Sequence, residues 1–208
     1  MKKYILTIDQ GTTSTRAILF DHKANTIGIY QMEFTQICPK SGYVEHNADE
    51  IYQTVLECIK NVIINASIEP EEIDSIAITN QRETTVAFGF DGHPLANAIC
   101  WQSRQSQKIC DDLIARGYED MIYQKTGLHI NPYFSASKIR YLIDNNQNIK
   151  DLYDAGKVLF GTMDTYILYR LTNGASFKTD ATNASRTMLY NIHTLSYDDE
   201  LLALFNIK

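Results

Sequence analysis

The first 35 residues constrain the fold more than any other stretch. Residues 4–9 and 15–20 are short apolar, β-branched runs separated by Gln10-Gly11-Thr12-Thr13-Ser14. Runs of this length bounded by small polar residues read as strands joined by a turn. A second polar turn, Asp21-His22-Lys23-Ala24-Asn25, leads into a third run over 26–34. Parallel neighbours would need a crossover of a dozen residues or more, so short turns make these three strands an antiparallel meander.

A helix is expected next. Asn47 and Glu50 have capping-box spacing, and Ile51, Val55, Ile59, Val62 and Ile63 recur at helical spacing. Residues 73–79 alternate as a strand, 84–90 follow closely, and Asp91-Gly92 signals a hairpin returning the chain through 98–101. Further helices are expected over 104–115, ending at Gly117, and over 118–125, 137–145 and 165–171. A short strand fits 157–160, the pattern over 175–191 is mixed, and a helix closes the chain over 197–205. Strands followed by helices alternating with strands imply an α/β layered domain. Meander, helix and strand is also the order of the ribonuclease-H-like fold, and we expect one such domain over 1–208. The chain stops just after a helix with no tail or linker, so truncation is expected.

Composition removes several function classes. A net charge of −6, with no run of lysine or arginine, argues against a nucleic-acid binder. No apolar stretch approaches the roughly 20 residues that span a bilayer. The N-terminal apolar run is cut short by Asp9, which makes it a buried strand and not an export signal. Cys38, Cys58, Cys100 and Cys110 show neither metal-ligand spacing nor a paired redox motif, which with the absent signal suggests the cytoplasm. The five histidines are scattered, and no serine nucleophile elbow appears.

Two polar clusters could carry chemistry. In Asp9-Gln10-Gly11-Thr12-Thr13-Ser14-Thr15-Arg16, Gly11 lets backbone approach a ligand and a tight turn can form an anion-binding nest. Thr12, Thr13 and Ser14 add hydroxyls and Arg16 a fixed charge. Asp9 could hold Mg²⁺ beside a transferred phosphate. The bland alternative is a hairpin that merely favours glycine and threonine. In Thr79-Asn80-Gln81-Arg82-Glu83-Thr84-Thr85, seven polar residues interrupt two apolar strands. Adjacent Arg82 and Glu83 suit a polyhydroxylated molecule, whose hydroxyls both give and accept bonds. A solvated turn with a surface ion pair fits the same residues.

Other candidates are ambiguous alone. Trp101 precedes Gln102-Ser103-Arg104 at a strand-to-helix junction, where α/β domains place sites, yet it would equally cap a core. Asn131-Pro132-Tyr133-Phe134-Ser135 is a loop with an aromatic hydroxyl. Asp164 stands at a helix start, where capping is the default role and ligand contact the alternative.

Together these segments resemble the glycerol kinases, a branch of the FGGY carbohydrate kinase family among the actin/hexokinase-like ATPases. The matching stretches are DQGTTSTR at 9–16, PKSGYVEH at 39–46, ITNQRETT at 78–85 and NAICWQSR at 97–104. They continue with TGLHINPYFSASK at 126–138, LFGTMDTYIL at 159–168 and TNASRTMLYNIHTL at 182–195. The resemblance implies an α/β, ribonuclease-H-like N-terminal lobe of a two-lobed kinase, using ATP and Mg²⁺ to phosphorylate glycerol. It implies that Arg82 and Glu83 bond glycerol hydroxyls, that Trp101 packs on its carbons and that Tyr133 contacts a hydroxyl. Thr12, Thr13, Ser14 and Arg16 match the phosphate-binding turn and Asp9 the acidic residue associated with Mg²⁺. Asp164 matches a family position without an assigned ligand. The family's catalytic aspartate and adenosine lobe fall beyond Lys208, so this stretch holds no catalytic residue and should be inactive alone. No nucleic-acid or membrane partner is implied, and self-association of the whole protein stays open. Tyr43 and Tyr52 stand where tryptophan is usual, which reads as tolerated packing variation. A sister polyol or sugar kinase, or a non-catalytic binding module on the same fold, remain the alternatives. A ribonuclease-H-type nuclease is a poorer one, because Asp9 leads into a phosphate turn and not a carboxylate cluster.

Overall fold

A computed structural model describes residues 2–208. In chain order the elements are β1 (Tyr4–Gln10), β2 (Ser14–Asp21), β3 (Thr26–Glu33), β4 (Glu45–His46), α1 (Ala48–Ala66), β5 (Ile73–Asn80), β6 (Thr85–Phe88) and β7 (Ala98–Ile99). Then come α2 (Gln107–Ala115), α3 (Glu119–Thr126), α4 (Ser135–Asn145), α5 (Gln147–Asp154), β8 (Leu159–Thr162), α6 (Met163–Leu171), α7 (Ala181–Ala184), β9 (Tyr190–Asn191), β10 (Ser196–Tyr197) and α8 (Asp199–Leu204). The chain forms two compact units, residues 1–36 with 47–81, and residues 37–46 with 82–208.

The first unit is a four-stranded sheet in the order β3-β2-β1-β5. The meander pairs antiparallel and β5 joins β1 in parallel, with α1 between β3 and β5 in sequence. Leu6, Ala17 and Leu19 of the sheet pack with Cys58 and Val62 of α1. Gly28 lets the helix lie close, since a Cβ there would meet Val62 Cγ2 at 3.3 Å. Asn47 caps α1 by accepting from Glu50 N at 3.2 Å. The reciprocal half of the expected capping box does not form. The Glu50 carboxylate instead accepts from Thr35 N and Thr35 Oγ1, both at 2.9 Å, tying the loop after β3 to the helix.

The second unit carries a sheet in the order β4-β7-β6-β8, surrounded by short helices. Asp91-Gly92 does turn the chain, with Gly89 N donating to His93 O at 3.0 Å and Gly92 at φ 79°. β6 is completely buried and also pairs with β8, which the hairpin alone could not reveal. Its core includes Ile99, Cys110, Ile122, Ile143, Ile149, Met188 and Leu201. Helix α2 begins at Gln107 and not at Arg104; the residues between form a turn in which Gln107 N donates to Arg104 O at 3.0 Å, while Arg104 N donates to Gly42 O at 2.8 Å. Helix α5 was not anticipated; Asn146 caps it by accepting from Ile149 N at 3.1 Å.

Candidate functional site

In the first unit β1 and β2 pair Asp9 with Arg16 and Gln10 with Thr15. Strand alternation therefore sends the roots of the intervening turn to opposite faces. Gln10 and Thr15 are fully buried. Thr15 Oγ1 shares a 2.7 Å hydrogen bond with Thr54 Oγ1, and Gln81 N donates to Gln10 O at 2.6 Å. Gln10 Nε2 donates to Gly11 O at 2.6 Å. The turn thus stands on a buried, neutral polar base.

Asp9, Ser14 and Arg16 occupy the other face. Arg16 Nη1 is 3.5 Å from Asp9 Oδ2, Arg16 Nε donates to Gln31 Oε1 at 3.1 Å, and Gln31 Nε2 donates to Ser14 Oγ at 3.0 Å. Gly11 N donates to Ser14 O at 2.9 Å, and a Cβ on Gly11 would meet that oxygen at 3.2 Å. Thr12 and Thr13 form the tip, their carbonyls accepting from Gln36 Nε2 and Phe34 N. Three hydroxyls and a guanidinium beside one carboxylate make a donor-rich rim, the chemistry phosphate oxygens require. Among the described residues no group of three or more His, Cys, Asp or Glu could hold a metal. A lone carboxylate fits Mg²⁺, which keeps most of its shell as water and phosphate oxygen.

The second unit gathers the other candidates. Glu83 is 2% exposed and has φ 64°, a left-handed conformation that costs a side-chain-bearing residue about 1–2 kcal/mol. Its Oε1 accepts from Arg186 Nε at 2.5 Å, and its carbonyl accepts from Ser135 Oγ and Thr85 Oγ1, each at 3.1 Å. The strain is therefore held from three sides, as expected where geometry serves a function. Arg82, the preceding residue, is exposed; its carbonyl accepts from Thr84 N at 2.8 Å, and its guanidinium has no hydrogen-bond or ion-pair partner among the described residues. Trp101 and Tyr133 face each other with centroids 5.3 Å apart at 59°. Trp101 N donates to Thr84 Oγ1 at 3.1 Å, coupling it to the segment that carries Glu83.

Arg186 ties these parts together. Its guanidinium carbon lies 5.5 Å from the Tyr133 ring centre and 4.9 Å from that of Phe134 while Nε binds Glu83. Burial works against its charge, and the bond and charge of Glu83 outweigh that, holding it above the ordinary arginine value. Sequence reasoning did not single it out. Arg186 sits within NASRTM with no periodic or spacing signal, and only the resemblance marked that segment. Lys138 was missed likewise, because a lysine near a helix start reads as solvated.

Asp164 lies in the first turn of α6, whose N-cap is Thr162. Its two oxygens accept from Thr162 Oγ1 at 2.5 Å and Thr179 Oγ1 at 2.6 Å. A cavity of about 610 Å³ opens among Phe160, Thr162, Thr165, Phe177 and Tyr197, and Arg82, Glu83, Trp101 and Tyr133 are not in its lining.

Comparison with known proteins agrees with this architecture. Residues 4–208 match the N-terminal domain of the FGGY family of carbohydrate kinases. The chain is 51% identical over 208 residues to a glycerol kinase of Shewanella frigidimarina, covering 100% of this chain and 42% of that one. It thus spans about two fifths of the length of such relatives. A crystal structure of Plasmodium falciparum glycerol kinase with ADP aligns at TM-score 0.90 and 35% identity, over 98% of this chain and 40% of that one. A gluconate kinase from Lactobacillus acidophilus aligns at TM-score 0.88 and 28% identity, over 100% and 40%. The fold is therefore the ribonuclease-H-like, actin/hexokinase-type α/β lobe that the sequence led us to expect. The chain belongs to the FGGY family of carbohydrate kinases, to the part of it formed by the N-terminal domain.

Proposed function

We propose that the protein carrying this chain transfers the γ-phosphoryl group of ATP to a terminal hydroxyl of glycerol. The observation that carries this reading is the ion pair of buried Glu83 with half-buried Arg186, beside exposed Arg82 and the Trp101–Tyr133 wall. Glu83 presents a carboxylate acceptor, Arg82 a free set of donors and Tyr133 a phenolic hydroxyl, while Trp101 offers an apolar face to carbon. That combination binds a small molecule with a hydroxyl on each carbon and discriminates against analogues lacking one, since unpaired buried groups are costly. Glycerol kinases of similar sequence support glycerol over other polyols.

The turn over 9–16 is the phosphate half of this reading. Thr12, Thr13, Ser14 and Arg16 would hold phosphate oxygens, and Asp9 would hold Mg²⁺. The metal neutralises charge on the transferred group when bound. Phosphoryl transfer asks a protein mainly for positioning and charge neutralisation, which these residues supply. None of the three candidate carboxylates is a ready proton acceptor for the attacking hydroxyl. Glu83 is committed to Arg186, Asp9 to Arg16 and Asp164 to two threonines. The 208 residues therefore bind and orient, and by themselves should release no ADP in response to glycerol. A cytoplasmic location fits four free cysteines, one of them exposed.

The test is ADP release from ATP by the complete gene product, with glycerol, other polyols and no acceptor in parallel. Glycerol-dependent turnover supports the reading. Turnover with another polyol alone overturns the substrate, and no turnover with any acceptor favours a non-catalytic binding module.

A further inference from the structure

Lys138 is fully buried in the first turn of α4. Its ammonium has three N–H donors and spends them on three consecutive backbone carbonyls. Nζ donates to Pro132 O at 2.6 Å, to Phe134 O at 3.2 Å, and to Tyr133 O. Those carbonyls flank Tyr133 on both sides, so the orientation of its Cα–Cβ bond follows from where the ammonium sits. Asn131 completes the loop, its Oδ1 accepting from Tyr133 N at 2.9 Å. Helix α4 is itself fastened to the Glu83 carbonyl by Ser135 Oγ.

A buried ammonium costs several kcal/mol of desolvation, and a methionine of similar length would fill the space more cheaply. What methionine cannot do is fix three carbonyls at one point. We propose that Lys138 is a positioning residue for the polyol pocket, locking the 132–134 backbone so that the Tyr133 ring stands between Trp101 and Arg186. This rests on the reading of Tyr133 as a substrate contact.

The titratable groups facing Lys138 are Glu83 from the segment before β6, Cys100 beside Trp101, and Cys110 of α2. Burial pushes both thiols up, Cys110 to about 11, so both are neutral near pH 7 and Glu83 is the counter-charge. Burial pulls Lys138 itself down to about 7. Deprotonation leaves two donors for three carbonyls, so the loop loosens as pH rises through that value. Global stability moves the other way. The unfolded chain binds the extra proton between that value and the ordinary lysine value of 10.5, so this group favours folding more as pH rises across the window. Loss of pocket order without loss of stability is therefore the mark of a positioning role.

Trp101 is the chain's only tryptophan and touches Tyr133, so its emission reports loop position whatever the substrate. From about pH 6 to about pH 9 the wild-type emission should change in one step, with no fall in thermal midpoint. Lys138→Met and Lys138→Gln should abolish the step and show the high-pH emission throughout. In the complete gene product either variant should raise KM for glycerol about tenfold while kcat changes less. Variant emission and glycerol KM equal to wild type would overturn the proposal. If the variants do not fold, a wild-type emission that stays flat across the range overturns it. The emission series needs no substrate, so a wrong glycerol assignment and a wrong role for Lys138 give separate failures.

Discussion

The proposed phosphate turn and the proposed polyol site are built on opposite plans. The turn draws its candidate ligands from consecutive positions 9–16 and stands on neutral hydrogen bonds among Gln10, Thr15, Thr54 and Gln81. The pocket draws from residues 82–83, 101, 133 and 186, and its central contact joins residues 103 positions apart. It is held by two buried or half-buried cations and a carboxylate 2% exposed. A phosphate needs many donors at modest angular precision, which a backbone turn and small hydroxyls provide. A polyol must be told from its close analogues, which requires desolvated polar groups held in fixed places. On the proposed assignment, specificity rests on long-range ionic assembly, and anion binding on local chain geometry.

The largest effect expected from this contrast follows removal of Arg186. Arg186→Ala removes the hydrogen-bonded cation from the buried Glu83 carboxylate, leaving only the unbonded charge of Lys138 nearby, and should cost on the order of 3 kcal/mol in chemical denaturation. Arg186→Lys should restore only part, because an ammonium lacks the planar guanidinium that binds the carboxylate and stacks on Tyr133 and Phe134. A loss below about 1 kcal/mol for the alanine variant would break the claim that ions hold the pocket.

Acid should expose a second ionic tie in the same unit. The Lys125 hydrogen bond holds Asp198 down to about 2, and Asp198 also caps α8 by accepting from Leu201 N at 3.2 Å. A depressed carboxylate stabilises fully above its unfolded value of about 4 and loses that contribution as pH falls toward its folded one. The contribution is on the order of 1 kcal/mol, since Lys125 is partly solvated. Asp198→Asn should flatten this acid limb of the stability curve, and an unchanged limb would remove the tie.

The smallest effect belongs to the neutral base of the turn. Thr54→Val strands the Thr15 hydroxyl and should cost about 1 kcal/mol. KM for ATP should shift no more than a few fold and KM for glycerol should not move. A glycerol effect would sharpen the comparison against us by linking the two regions.

The same contrast explains what could be read from the residues alone. The meander, α1 and β5 were legible because strand alternation and helical spacing are local, and Gly11 with its hydroxyl neighbours announced a tight turn. Trp101 and Tyr133 were identifiable as candidates, but nothing local says they meet. The Glu83–Arg186 bond joins distant segments, and the left-handed φ of Glu83 has no signal in a residue type that seldom adopts it. Glu50 had the spacing of a capping box yet turned to Thr35, because a nearer pair of donors was available only in three dimensions.

The division of labour is tested most directly by two substitutions in the complete gene product, Glu83→Ala and Arg16→Ala, with KM for glycerol and for ATP measured for each. Glu83→Ala should raise KM for glycerol and leave KM for ATP near wild type, and Arg16→Ala should do the reverse. Glycerol kinetics untouched by Glu83→Ala, or both constants moving together in both variants, would contradict that division.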